Sequence, residues 1–351
     1  MKHFLMAACA LALAACSSSA PSKSVANGPR PATKPIGKVV PLATPLGLPP
    51  VPVLPENLPT AETIALGEKL FFSPLLSSDK TLSCASCHDP KAGFADPRAN
   101  SVGVGGKTGN RNAPTAQFAA YATTQFWDGR AATLEEQALG PIGNPIEMAM
   151  NMEDVEKRLQ DDPQIRNLFQ KAFAEAPSRE GMARALATYE RTLVRGNSPF
   201  DRYQYGGDKK ALNESAKRGL EIFRDEKRGN CAVCHTIEKD FALFTDNKFH
   251  NLGVGLNAEG ELTDLGRYAI SKKDEDRGAF RTPTLRNIAL TAPYMHDGSL
   301  RTLKEVVDFY VGGGNGNPHL DKEIKPLSKL TRQERADLEA FLESLTCEAI
   351  K

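Results

Sequence analysis

The sequence predicts an all-α protein made of two tandem units of one kind. Three observations carry that expectation. A five-residue string occurs twice, as Cys84-Ala85-Ser86-Cys87-His88 and as Cys231-Ala232-Val233-Cys234-His235. Each copy follows a similar amphipathic run at a similar distance. Leu66-Gly67-Glu68-Lys69-Leu70-Phe71-Phe72 precedes the first, and Arg218-Gly219-Leu220-Glu221-Ile222-Phe223 precedes the second. Elsewhere apolar residues recur at three- and four-residue steps, with almost no strand alternation.

Taken in order, the chain opens on Met1-Lys2-His3 and an apolar run from Phe4 to Ala15. That run is too short to span a bilayer as a helix and reads as an export signal. It ends in Leu13-Ala14-Ala15-Cys16, followed by Ser17-Ser18-Ser19. These residues resemble a bacterial lipobox. The resemblance implies a signal over 1–16, lipidation of Cys16 and sorting to the outer membrane. The plainer alternative is secretory cleavage near Ala15. Residues 17–55 are rich in Pro, Ser and Ala and are expected to form a disordered tether.

The two units are expected over 56–205 and 206–351, joined near Gly206-Gly207. Helical periodicity runs from Met152 to Ala174 and from Arg179 to Val194. Thr302 with Glu305, and Thr331 with Glu334, read as capping boxes. The helix from Thr331 places Leu338, Phe341, Leu342 and Leu345 on one stripe. Gly103 to Gly109 and Gly312 to Pro318 are loops.

With 351 residues, 40% apolar and 25% charged, the composition is that of a globular protein. A net charge of +1 offers no footprint for nucleic acid.

The repeated string is Cys-x-x-Cys-His, the covalent attachment signal for haem c. Two thiols one short turn apart can each add to a haem vinyl group. The histidine that follows then lies under the ring as an axial ligand. A redox dithiol does not require His in both copies. Zinc would want a second ligand pair beside each cysteine pair, and the sequence has none. Two haems are therefore expected, on Cys84, Cys87 and His88 and on Cys231, Cys234 and His235. Of seven cysteines, Cys9 lies in the signal and Cys347 is left over as an incidental residue at a helix end. The helix leading into each attachment loop resembles the start of the cytochrome c fold.

A more specific resemblance rests on five strings. They are Asn110-Arg111-Asn112-Ala113-Pro114-Thr115, Phe126-Trp127-Asp128-Gly129-Arg130 and Glu147-Met148, then Arg281-Thr282-Pro283-Thr284-Leu285-Arg286-Asn287 and Pro293-Tyr294-Met295-His296-Asp297-Gly298. In this order, from about Leu66 to Leu345, they resemble the bacterial dihaem cytochrome c peroxidase and MauG family. The resemblance implies two tandem cytochrome c-like domains, with a peroxidatic haem on His88. It implies that Glu147 moves a proton between peroxide oxygens, that Gln137 shapes the distal pocket and that Trp127 lies between the haems. It also implies a Ca²⁺ at the domain junction, held by the Asn112 side chain and the carbonyls of Thr291 and Pro293.

Two departures point toward the MauG-like branch. Where many of the peroxidases carry a blocking histidine, this chain has Val104, which cannot ligate iron. The first iron is therefore expected to be open from the start. Where the peroxidases hold the second iron with methionine, this chain has Tyr310. Leu303, Val306, Val307 and Tyr310 share a helical face, so the tyrosine is expected to point inward. Met295 remains a competing ligand. The expected function is reduction of hydrogen peroxide at the first haem, with electrons relayed through the second from a small c-type cytochrome or a cupredoxin. The alternative is MauG-like oxidation of Trp or Tyr on a partner protein. A rival of another class is a pure electron-transfer cytochrome, which needs both irons closed.

Overall fold

The computed structural model describes Met1, residues 33–327 and residues 329–347. The export signal and Cys16 lie outside the described residues. No helix among them is long and apolar enough to cross a membrane.

Two hydrophobic cores organise residues 33–347. The first is built by α1 (Ala61–Phe71), α2 (Leu134–Gly143), α3 (Met152–Asp161), α4 (Pro163–Phe173) and α5 (Arg179–Glu190). Thr60 starts α1, its hydroxyl accepting from the Thr63 N–H. Leu66, Leu70 and Phe71 of that helix are fully buried, with the Phe71 ring 5.2 Å from that of Tyr189 on α5. The single helical run expected over 152–174 is split. Asp162 leaves helical geometry and caps α4 through Ile165 N–H, and Pro163 occupies its first turn. Proline cannot supply the N–H that a continuous helix would need there.

The second core gathers α6 (Pro199–Gln204), α7 (Glu214–Arg224), α9 (Leu303–Gly312) and α10 (Arg332–Glu343), with the short α8 (Tyr268–Ser271) outside it. Phe200 meets Phe244 and Phe341 edge to face, and Phe223 meets Phe341 in a tilted contact at 4.9 Å. Phe200 already belongs to this core, so it begins before the glycine pair expected to mark the join. Thr331 forms the full capping box of α10. Thr302 caps α9, whereas Glu305 turns back to the Arg301 N–H instead of completing a box.

The repeat is visible as packing. A Cβ on Gly67 of α1 would lie 2.0 Å from the Ala185 carbonyl oxygen on α5, and one on Gly219 of α7 the same distance from that of Asp337 on α10. In each unit the helix that leads into the Cys-x-x-Cys-His string thus crosses the last helix at a glycine.

Residues 33–55 correct the expectation of a disordered tether up to residue 55. The Ile36 N–H donates to the Ala172 carbonyl and that of Val40 to Pro59. Pro49 O accepts from the Tyr121 hydroxyl, and Leu48 is buried with Phe118, Val194 and Cys347. Gly47 lies at φ +85°, where a Cβ would collide with Asp201. Its carbonyl accepts from Arg286, which forms a fully buried bidentate pair with Asp201 at 2.9 Å. The segment's polar groups are satisfied by distant partners, so it needs no helix or strand of its own.

A short antiparallel hairpin, β1 (Phe249–Asn251) and β2 (Ala279–Arg281), pairs Phe249 with Arg281. Its second strand docks on the first unit, where the Arg281 N–H donates to the Trp127 carbonyl at 2.8 Å.

Candidate active site

The Cys-x-x-Cys-His strings form tight turns after α1 and α7, over Cys84–Ser86 and Cys231–Val233. The N–H of His88 donates to Cys84 O, and that of His235 to Cys231 O, both at 2.9 Å. The turn thus stacks the histidine beside both thiols. Nδ1 of His88 contacts the Phe94 carbonyl at 3.2 Å, and Nδ1 of His235 contacts that of Phe244 at 2.8 Å. A carbonyl partner fixes the proton on Nδ1 and leaves Nε2 with its lone pair, the form that binds iron. Burial lowers both imidazoles, which favours this neutral form. Burial also pushes Cys84 and Cys231 up to about 12. These are settings for neutral thiols and thioethers, not for zinc thiolates.

Each turn opens on its own cavity. One, of about 430 Å³, is lined by Cys84, Cys87 and His88, and the other, of about 230 Å³, by Cys231, Cys234 and His235. Leu134, Ala138, Ile142 and Leu186 give the first an apolar wall, and Phe223, Val307, Leu338 and Leu342 do so for the second. An apolar slot ending in two thiols and a neutral imidazole fits a covalently held haem.

Glu147 and Gln137 line the first cavity with His88. Gln137 projects from α2, and Glu147 follows the end of that helix. Burial raises the Glu147 carboxyl, opposed by a hydrogen bond from Asn144 and by the Arg130 charge. Asn144 Nδ2 donates to Glu147 Oε1 at 2.5 Å. The Val104 N–H donates to the Glu147 carbonyl at 2.8 Å, so the loop expected to carry an open position is tied to the acid's own backbone.

Trp127 lines both cavities, and its indole N–H donates to Asn112 O at 2.9 Å. Tyr310 and Met295, the two candidate ligands for the second iron, both line the second cavity. So do Asn112, Thr291 and Pro293. The Asn112 amide donates to the carbonyls of Asp96 and Arg98, leaving its oxygen uncommitted to those contacts.

Cys234, Asp246 and His250 lie within 4.8 Å of one another. Cys234 is the second cysteine of its Cys-x-x-Cys-His string, and His250 is gripped by Asp246 at 3.0 Å and Asp321 at 2.6 Å. Asp246 foremost raises its imidazole, and both ring nitrogens are taken up by carboxylates. His296 is buried and stacked on Phe280 at 3.6 Å. Cys347 is buried just beyond the end of α10, its N–H donating to Asn287 Oδ1. Asn144, Arg130 and Arg281 also line these cavities and were not singled out from the sequence. For Arg130 and Arg281, membership of the quoted strings was the only signal.

Two haem-attachment turns, two cavities and one shared tryptophan define a dihaem c-type cytochrome with an ionisable group in one cavity. The sequence matches a family model described as di-haem cytochrome c peroxidase over residues 61–210, and one for cytochrome c over 216–346. It is 42% identical to the methylamine utilization protein MauG of Methylorubrum extorquens, over 84% of this chain and 83% of that protein. It is 39% identical to the cytochrome c551 peroxidase of Pseudomonas aeruginosa, over 80% and 78% respectively. The crystal structure of a MauG-like protein associated with microbial copper homeostasis superposes with a TM-score of 0.78 at 33% identity, covering 87% of this chain and 95% of that one. The chain belongs to the dihaem cytochrome c peroxidase and MauG family, is an oxidoreductase and carries two haem c groups.

Proposed function

We propose that this enzyme reduces hydrogen peroxide in the cavity bearing His88, with electrons passing from the second haem by way of Trp127. The observation that carries this reading is one cavity shared by the axial histidine, Glu147 and Gln137. Haem bound through His88 would supply the open iron position at which peroxide is activated. Glu147 takes a proton from one peroxide oxygen and returns it to the other as the O–O bond breaks. Its raised affinity for protons suits a group that must both accept and give. Gln137 orients the bound peroxide. Val104 would offer no ligand to an iron held by His88.

Tyr310 would hold the second iron in this reading. It lines the cavity with Cys231, Cys234 and His235. Burial raises its phenol, with a further contribution from Cys231 and Cys234. That contribution ends when the thiols become thioethers, and a ferric ion reverses the rest by favouring phenolate. Asn112, Thr291 and Pro293 would hold a Ca²⁺ between the cavities, which suits a set of oxygen donors.

The electron source is a small c-type cytochrome or a cupredoxin in the periplasm. The tyrosine at position 310 and the likeness to MauG favour a second reading, in which the same machinery oxidises Trp or Tyr of a partner protein. Lipidation at Cys16 and outer-membrane anchoring complete the proposal.

EPR of the resting ferric protein tests it. One high-spin and one low-spin haem are expected without prior reduction, and the high-spin signal should disappear on adding stoichiometric peroxide. Two low-spin signals indifferent to peroxide would favour the electron-transfer rival instead.

A further inference from the structure

The wall common to the two cavities includes Asn112, Thr115, Trp127, Arg281, Pro283 and Thr284. Among these, only Arg281 carries a charge. Its backbone is fixed by the β1–β2 pairing and by the bond to Trp127 O. Its guanidinium is left with almost nothing. Nη1 reaches only the carbonyl of the adjacent Thr282, at 3.4 Å. Nε is buried and has no hydrogen-bond partner among the described residues. No carboxylate among them offsets its charge, and burial alone pulls it down to about 10.

The other arginines of the first cavity differ. Arg111 pairs with Asp128 and Asp264, and Arg130 with Asp128. A buried cation without an anion or hydrogen bonds is costly, and the fold keeps this one. Each haem brings two propionate carboxylates into its cavity, and a planar guanidinium is the side chain best shaped to grip them.

We propose that Arg281 is the anchoring cation for haem propionates and that, placed in the shared wall, it acts on both haems at once. A fixed positive charge favours the ferrous over the ferric state of each haem it faces. Arg281 would therefore raise both reduction potentials together, beside the tryptophan that separates the two centres. The inference needs the two haems but not the peroxide chemistry, so it can fail or hold independently of that reading.

The test uses the holoprotein with Arg281→Met and Arg281→Lys. Haem content is measured first, then both midpoint potentials by spectroelectrochemical titration. With both haems loaded, Arg281→Met should lower both midpoints, and Arg281→Lys should restore much of the loss. Movement of one midpoint alone, or equal loss in Lys and Met, would overturn the proposal. Should Arg281→Met fail to load haem, redox-induced infrared difference spectra would compare wild type with Arg281→Lys, using haem labelled with ¹³C at the propionate carboxyls. Shifted carboxylate bands from both haems are expected, and unshifted bands would refute the contact.

Discussion

Asn144 grips Glu147 twice. Its side-chain amide donates to Oε1 at 2.5 Å, and its carbonyl accepts the Glu147 N–H at 3.0 Å. Asn144 is also the residue at which α2 ends. The acid of the first cavity is therefore aimed by a helix terminus, whose position depends in turn on the packing of Ala138 and Ile142 in the first core.

Replacing Glu147 by Gln keeps the size and the contact with Asn144 but removes the proton acceptor. Both haems should still be attached, with unchanged optical spectra. Reaction with peroxide, followed by stopped flow, should slow by about 10²–10⁴-fold. An unchanged rate would show that Glu147 has no acid–base role.

The pH dependence follows from the same contact. Burial holds the Glu147 carboxyl above its ordinary value of 4.5, and Asn144 opposes that rise. The working form is the carboxylate, so activity should be full at higher pH and fall as pH drops through the raised value. Asn144→Ala removes a hydrogen bond that favours the charged form. The acidic limb of the kcat/KM profile should then move to higher pH. A limb that stays in place would mean that another group controls it.

Tyr310→Phe separates iron ligation from packing, because it deletes only the hydroxyl. The second haem should lose its low-spin EPR signal, and its midpoint potential should rise as an anionic ligand is lost. Retention of the low-spin signal would leave Met295 as the sixth ligand, since it lines the same cavity.

The two glycine crossings give a stability test. Ala at 67 or at 219 would press a methyl into a backbone carbonyl 2.0 Å away, so a helix must shift. Each change should cost about 1–3 kcal/mol or more, measured by denaturant unfolding of the holoprotein. The two variants should perturb the absorption of different haems, the first for Gly67→Ala and the second for Gly219→Ala.

Those crossings also mark what could be read from the chain. The Cys-x-x-Cys-His strings and the helices before them carry local patterns, so the two haem cavities and both cores were accessible from residue spacing. The strap over 33–55 was not. Its hydrogen bonds run to Ala172, Tyr121 and Arg286, and no short-range periodicity encodes such partners. The hairpin was equally silent, because strands of three residues show no alternation. Asn144 and Arg281 are ordinary polar residues in sequence, and only the fold reveals that one aims an acid while the other stands unpaired in a shared wall.

Trp127 bears the last prediction. It lines both cavities, donates its indole N–H to Asn112 O and accepts the Arg281 N–H at its own carbonyl. Its backbone role survives any substitution, whereas its ring does not. Trp127→Phe should keep the hairpin docked and both haems loaded, yet shrink the aromatic bridge and remove its oxidisable indole. Binding of peroxide at the first haem depends on Glu147 and should keep its rate. Transfer of oxidising equivalents to the second haem should slow, seen as a delayed change in the second haem's absorption after a prompt change in the first. If both changes kept their wild-type timing, electrons would be crossing by a route that does not use the indole.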